Sequence, residues 1–171
     1  NPLVEKLRER GNQVFSLSRS SGQHIDDLGC DLTDIEKVND LSKRLSGEKV
    51  EVALHFASKL MNETLNQSDI FGHNLEISKG FVRLAGLLMP SKVINASSTA
   101  VYPEISGSFD EDSLIKPSVN SDGLYGLSKF VAENLIDFGL KFAEIPELLS
   151  ILLFQKVTQY SDDSAHSLSA E

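Results

Sequence analysis

The chain is poor in cysteine: Cys30 stands alone among 171 residues, so no internal disulfide can form, a state that fits a reducing cytosol. Long apolar runs are lacking too. The longest, around Gly86 to Met89 and Ile151 to Phe154, fall far short of the ~20 residues that span a bilayer, so no membrane partner is expected. The four histidines, His24, His55, His73 and His166, show no ligand spacing with cysteine or carboxylates, and zinc is not expected. Basic residues are outnumbered, 16 against 25 acidic, and the net charge of −9 argues against a nucleic-acid surface. A cytoplasmic protein without a nucleic-acid partner is the expectation.

What is present suits one globular domain over residues 1–160, with the Ser- and Asp-rich stretch 161–171 as a flexible tail. Apolar residues at 40% and charged residues at 24% are enough for a core and a solvated surface, so disorder throughout is not invoked. Helical and extended patterns alternate, which points to a parallel α/β layer. Leu3, Val4 and Leu7 mark a helix that Gly11 can end in a left-handed conformation, and Val14 to Leu17 reads as a strand. Ile35, Val38, Leu41 and Leu45 recur at helical spacing after Thr33 or Asp34, either of which can cap the first turn. Val50 to Phe56 is the next strand, followed by a polar loop through Gly72. Ile77, Phe81, Leu84 and Leu88 then form a helix stopped at Pro90. A β-branched run ends near Ala96, a long loop carries Pro103, Gly107 and Pro117, and Val131, Leu135, Phe138 and Phe142 continue a helix opened by Tyr125. Leu148 to Phe154 closes the series as a strand.

The most informative stretch is Tyr125-Gly-Leu-Ser-Lys129. Residues four apart share a helix face, so a phenol and an ammonium are brought together. The positive charge favours the phenolate, and a group that titrates near ~10 when free can then accept a proton closer to neutral pH. Upstream, Lys92-Val-Ile-Asn-Ala-Ser-Ser-Thr-Ala-Val-Tyr-Pro103 ends a buried strand in a cluster of hydroxyls, and ligands of open parallel sheets gather at such strand ends.

The Ser-Ser-x-x-Val-Tyr segment followed by Tyr-Gly-x-Ser-Lys, with 27 positions from Ser98 to Tyr125, resembles the extended short-chain dehydrogenase/reductase family of NAD(P)-dependent epimerase/dehydratase type. The likeness covers most of the chain. Glu51-Val-Ala-Leu-His-Phe-Ala-Ser58 resembles the family's fourth strand and nicotinamide-side turn, Gly29-Cys-Asp-Leu-Thr-Asp34 its acidic turn at adenine, and Asn74 falls where its helix-four asparagine would. The resemblance implies a Rossmann-like doubly wound parallel sheet, here incomplete at both ends. The chain opens inside the helix that follows the glycine-rich turn, and nothing corresponds to the carboxy-terminal substrate region. It is therefore expected to be the traceable part of a longer polypeptide rather than a truncated protein, since a sheet without its central strand leaves backbone unpaired.

The same resemblance implies the site. Tyr125 is the base, Lys129 stabilises its phenolate and holds the nicotinamide ribose, and Ser98 donates to the substrate oxygen, with Ser97 or Thr99 as alternatives. Asp31 and Leu32 flank adenine, while Phe56, Ala57 and Ser58 lie near the nicotinamide, where His55 packs without chemistry. Asn74 orients the lysine or caps its helix. Ser18-Arg19-Ser20 replaces the acidic residue that binds an adenosine ribose diol, so Arg19 favours NADP over NAD without excluding NAD. The substrate is a small molecule, with nucleotide sugars foremost. Thr99 and Ala100 in place of an acidic pair lean against dehydration, and Phe154 to Tyr160 departs from the family pattern enough to keep simple carbonyl reductases open. A cofactor-sensing or scaffolding protein and an unrelated doubly wound domain are the remaining alternatives. A homodimer through the helices bearing Lys129 and Phe81 is also implied, and exposure of Phe81, Phe130, Phe138 or Phe142 would support it.

Overall fold

Asn1 accepts a hydrogen bond from the Leu3 amide and, with Pro2 pre-set for helical φ, starts helix α1 (Pro2–Glu9). The structure, a computed structural model, describes residues 1–60, 66–102, 123–143 and 147–153, the last as backbone alone. Gly11 takes φ +83 beyond the end of α1, the left-handed conformation expected of it. Arg8 Nη2 donates to Val14 O at 2.7 Å and to Asp27 Oδ1 at 2.9 Å, which ties α1 to the two strands that follow.

Those strands, β1 (Ser16–Ser18) and β2 (Asp27–Gly29), pair in parallel with Ser16 opposite Asp27. The strand β2 is a correction to the sequence reading, which placed none there. Three residues with Leu28 as the one large apolar side chain give no alternation to read, and pairing with β1 makes the strand. Helix α2 (Ile35–Arg44) is capped by Asp34, whose Oδ1 accepts from the Glu36 and Lys37 amides. Its apolar face buries Val38 and Leu41, which cluster with Leu28, Cys30, Leu45 and Leu84.

The second sheet is also parallel, with β4 (Lys92–Ser98) between β3 (Val52–His55) and β5 (Glu147–Leu153). The α/β class with parallel strands is thus as expected. Val93 of β4 is fully buried against Phe81, Ala85, Ile136 and Leu140, contributed by helices α3 (Gln67–Leu88) and α4 (Leu124–Phe142). Among the described residues β1 and β3 each pair on one side only, and β3 carries Val52 and Leu54 at 48% and 37% exposure.

Helix α3 begins earlier than expected, at Gln67, with Asn66 Oδ1 accepting from the Asp69 amide, so the polar loop does not extend to Gly72. Ile70 explains the difference. It is buried with Ala100 and Tyr125, worth about 1.5–3 kcal/mol, against a cost of ~1 kcal/mol for Gly72 inside a helix. The helix stops with Met89 at φ +50, followed by Pro90. Midway along it, Gly80 lies so close to Leu32 O that a Cβ would overlap that oxygen, and this contact seats the turn after β2 on α3.

Of the four phenylalanines whose exposure would support a dimer face, Phe138 and Phe142 are exposed and Phe130 is half-buried. Phe81 lies in the core beside Val93 and lends that face no support. The expected loop with Pro103, Gly107 and Pro117, and the stretch 154–171, lie outside the described residues.

Candidate active site

The site forms where β4 ends and α4 begins. Ser98 closes the strand, and its Oγ accepts from the Ala100 amide at 3.2 Å, opening a 3-10 turn over Thr99–Val101. Ser98 therefore caps this turn. A hydroxyl that accepts there still has its own proton to donate elsewhere. Gly126 faces Ala100 O with no room for a Cβ, so the first turn of α4 rests directly on the turn after Ser98. This contact is the physical reason for glycine in Tyr-Gly-Leu-Ser-Lys.

Tyr125 is buried against Ile70 and Ala100. One turn along α4, the Lys129 ammonium stands 5.9 Å from the Tyr125 ring centroid and 3.4 Å from Ala96 O, two residues before Ser98 on β4. The three expected catalytic residues are thus drawn to the junction of one helix start and one strand end. Burial pushes the Lys129 pKa down, and the carboxyl of Glu133 beside it opposes that shift.

Asn74 sits inside α3 rather than at its start, so the capping alternative falls. Its Oδ1 accepts from the Lys59 amide at 2.7 Å, and its Nδ2 donates to Lys59 O and to Ser128 Oγ, each at 3.1 Å. Ser128 Oγ in turn donates to Tyr125 O at 2.7 Å. These bonds brace the loop after β3 against the start of α4. The sequence reading did not single out Ser128 or Glu133, although both lie on the helix that carries Lys129 and could have been found by helical spacing.

The other expected residues lie at the carboxyl ends of β1, β2 and β3, the edge where parallel sheets bind ligands. Arg19 and, beyond β3, Phe56 and Ala57 are exposed, while Leu32 is half-buried under Gly80. Asp31 Oδ1 accepts from the Thr33 amide at 3.0 Å and from its hydroxyl at 2.8 Å, and these bonds hold the carboxyl below its ordinary pKa. Ser58 Oγ is buried without a hydrogen-bond partner. The orphaned hydroxyl, next to the exposed residues Phe56 and Ala57, fits the edge of a dinucleotide site. His55 stacks on Phe81, with ring centroids 4.2 Å apart and planes at 12°; burial first, then the Lys129 charge, lowers its pKa to about 3. It is neutral, as its expected packing role requires.

The model of the NAD dependent epimerase/dehydratase family matches residues 1–138. A UDP-glucose 4-epimerase from Mycoplasma genitalium is 26% identical over 139 residues, covering 80% of this chain and 39% of its own. UDP-N-acetylglucosamine 4-epimerase from Bacillus cereus superposes with a TM-score of 0.64 at 20% identity, over 85% of this chain and 52% of that one. The holo form of a GalE-like L-threonine dehydrogenase from Cupriavidus necator gives 0.69 at 19% identity, over 88% and 50%. The chain thus spans about two fifths of the curated relative and about half of these solved structures, whose likeness establishes the fold. With the family matched over most of its length, the chain belongs to the NAD dependent epimerase/dehydratase family.

Proposed function

We propose that the polypeptide containing this chain is a nicotinamide-dependent oxidoreductase of the epimerase type, acting at a hydroxyl or carbonyl carbon of a nucleotide sugar. The observation that carries this reading is the placement of Tyr125 and Lys129 on one face of α4, against the end of β4 that bears Ser98. In this mechanism Ser98, its Oγ already accepting from Ala100, directs its O–H at the substrate oxygen. Tyr125 takes the proton from the substrate hydroxyl, and the Lys129 ammonium favours the phenolate that does so. Bound beside them, a nicotinamide supplies the acceptor and donor of hydride.

Asp31 and Leu32 would hold the adenine, Arg19 the adenosine ribose or its 2′-phosphate, and Phe56, Ala57 and Ser58 the nicotinamide side, with Lys129 at the second ribose. Asn74 contributes by fixing the loop after β3 against α4. Epimerisation is favoured over dehydration because Thr99 and Ala100 supply no acid after Ser98. The test is a fluorescence titration of the intact polypeptide with NADH and NADPH. Saturable binding is expected, tighter for NADPH if Arg19 meets a phosphate; a linear response to both overturns the reading.

A further inference from the structure

Helix α4 starts without a side-chain cap of its own: Gly123 precedes it at φ +50, so neighbouring elements must fix how its first turn points. One face of α3 does this. Gln67 Oε1 accepts from the Leu124 amide at 3.2 Å, Ile70 packs with Tyr125, and Asn74 Nδ2 donates to Ser128 Oγ at 3.1 Å. The last of these contacts continues in both directions. Asn74 also grips both backbone groups of Lys59, accepting from its N–H at 2.7 Å and donating to its O at 3.1 Å. Lys59 follows Phe56, Ala57 and Ser58, the stretch assigned to the nicotinamide side. Toward α4, the buried Ser128 hydroxyl donates to Tyr125 O at 2.7 Å. Helical geometry directs the Lys129 amide at that same carbonyl.

We propose that Ser128 is a positioning residue: its hydroxyl is the joint that holds the backbone of Tyr125 in register with the loop on the nicotinamide side. This rests on the reading of Tyr125 as the base. Counting donors and acceptors singles out the hydroxyl. Asn74 uses its Oδ1 once and both Nδ2 protons, and Ser128 accepts one proton and gives its own. A buried network satisfied throughout holds a single geometry. The Asn74 amide cannot turn over, because the Lys59 N–H requires an acceptor and the Lys59 O a donor. Removing the Ser128 hydroxyl leaves an Asn74 N–H buried without its partner, which costs more than the bond itself contributes. The loop and the base are then no longer tied.

The test is Ser128→Ala in the intact polypeptide, alone and combined with Asn74→Ala, with exchange of the Lys59 amide followed by NMR and kcat and KM measured with a nucleotide sugar. Ser128→Ala is expected to speed Lys59 exchange about tenfold and to lower kcat about tenfold, with KM nearly unchanged. Added to Asn74→Ala, it should change either reading by less than about twofold, because the joint is already open. Losses that multiply in full overturn the proposal, since they assign Ser128 to packing alone. An unmoved Lys59 amide overturns it as well, and so does faster exchange with undiminished kcat. If the unsubstituted protein turns nothing over, the catalytic reading fails, and the Lys59 exchange rates of the single and double variants decide whether the joint exists. Should Ser128→Ala not fold, Ser128→Cys, close in size and a weak donor, takes its place in the same measurements.

Discussion

Under the proposed mechanism, replacing Tyr125 with Phe is expected to lower turnover of the substrate by about 10²–10⁴-fold and to leave nicotinamide affinity unchanged. The ring fills a site bounded by Ile70 and Ala100, and a phenyl ring of the same shape keeps that packing. What is lost is the hydroxyl, which the proposed mechanism has the Lys129 ammonium, 5.9 Å from the ring centroid, acidify. Cofactor affinity should hold because the dinucleotide is assigned to strand ends and to Lys129, which the substitution leaves intact. Steady-state turnover measured beside NADH titration separates the two effects. Unchanged turnover removes Tyr125 as the base.

Acid should destabilise the protein well above the range where carboxylates titrate, and His55 is the cause. Its folded pKa of about 3 lies below the ordinary 6.5, so the unfolded chain binds the proton more readily between those values. The stability contributed by neutral His55 is therefore complete above about pH 6.5 and is lost as pH falls toward the folded value. At 1.36 kcal/mol per unit the loss reaches about 2 kcal/mol near pH 5. Asp27, Asp31 and Asp34 have lowered values and begin to contribute only at lower pH, whereas Glu133, with a raised value, acts in the opposite sense. The difference between the protein and its His55→Phe variant isolates the histidine, because phenylalanine can keep the stack on Phe81. Urea midpoints from neutral pH to about 5 should fall steeply for the former and much less for the latter. Parallel curves would show that the ring charges without cost.

The parts of the fold that depend on neighbours in sequence were legible. Asp34 capping α2, Gly11 ending α1 and Pro90 following α3 are each set by one residue and its immediate backbone. The parts that depend on distant contacts were not. Asn66 to Gly72 looks like a loop until Ile70 is seen between Ala100 and Tyr125, and Asp27 to Gly29 becomes a strand only beside β1. The site divides in the same way. Tyr125 and Lys129 share a helix face by spacing alone, and Ser98 follows from the family pattern. The bond from Asn74 to Ser128 joins residues 54 positions apart, and Gly126 acquires its meaning from Ala100 O, so neither could be read before the chain was folded.

The central claim is that Tyr125, Lys129 and Ser98 converge on one bound nicotinamide and one substrate oxygen. A crystal structure of the intact polypeptide with NAD and a nucleotide sugar measures this directly. The account predicts Tyr125 Oη and Ser98 Oγ each about 2.6–3.2 Å from the same substrate oxygen, with Lys129 Nζ at the ribose of the nicotinamide half. A dinucleotide bound away from α4, or the two hydroxyls facing different clefts, would contradict it.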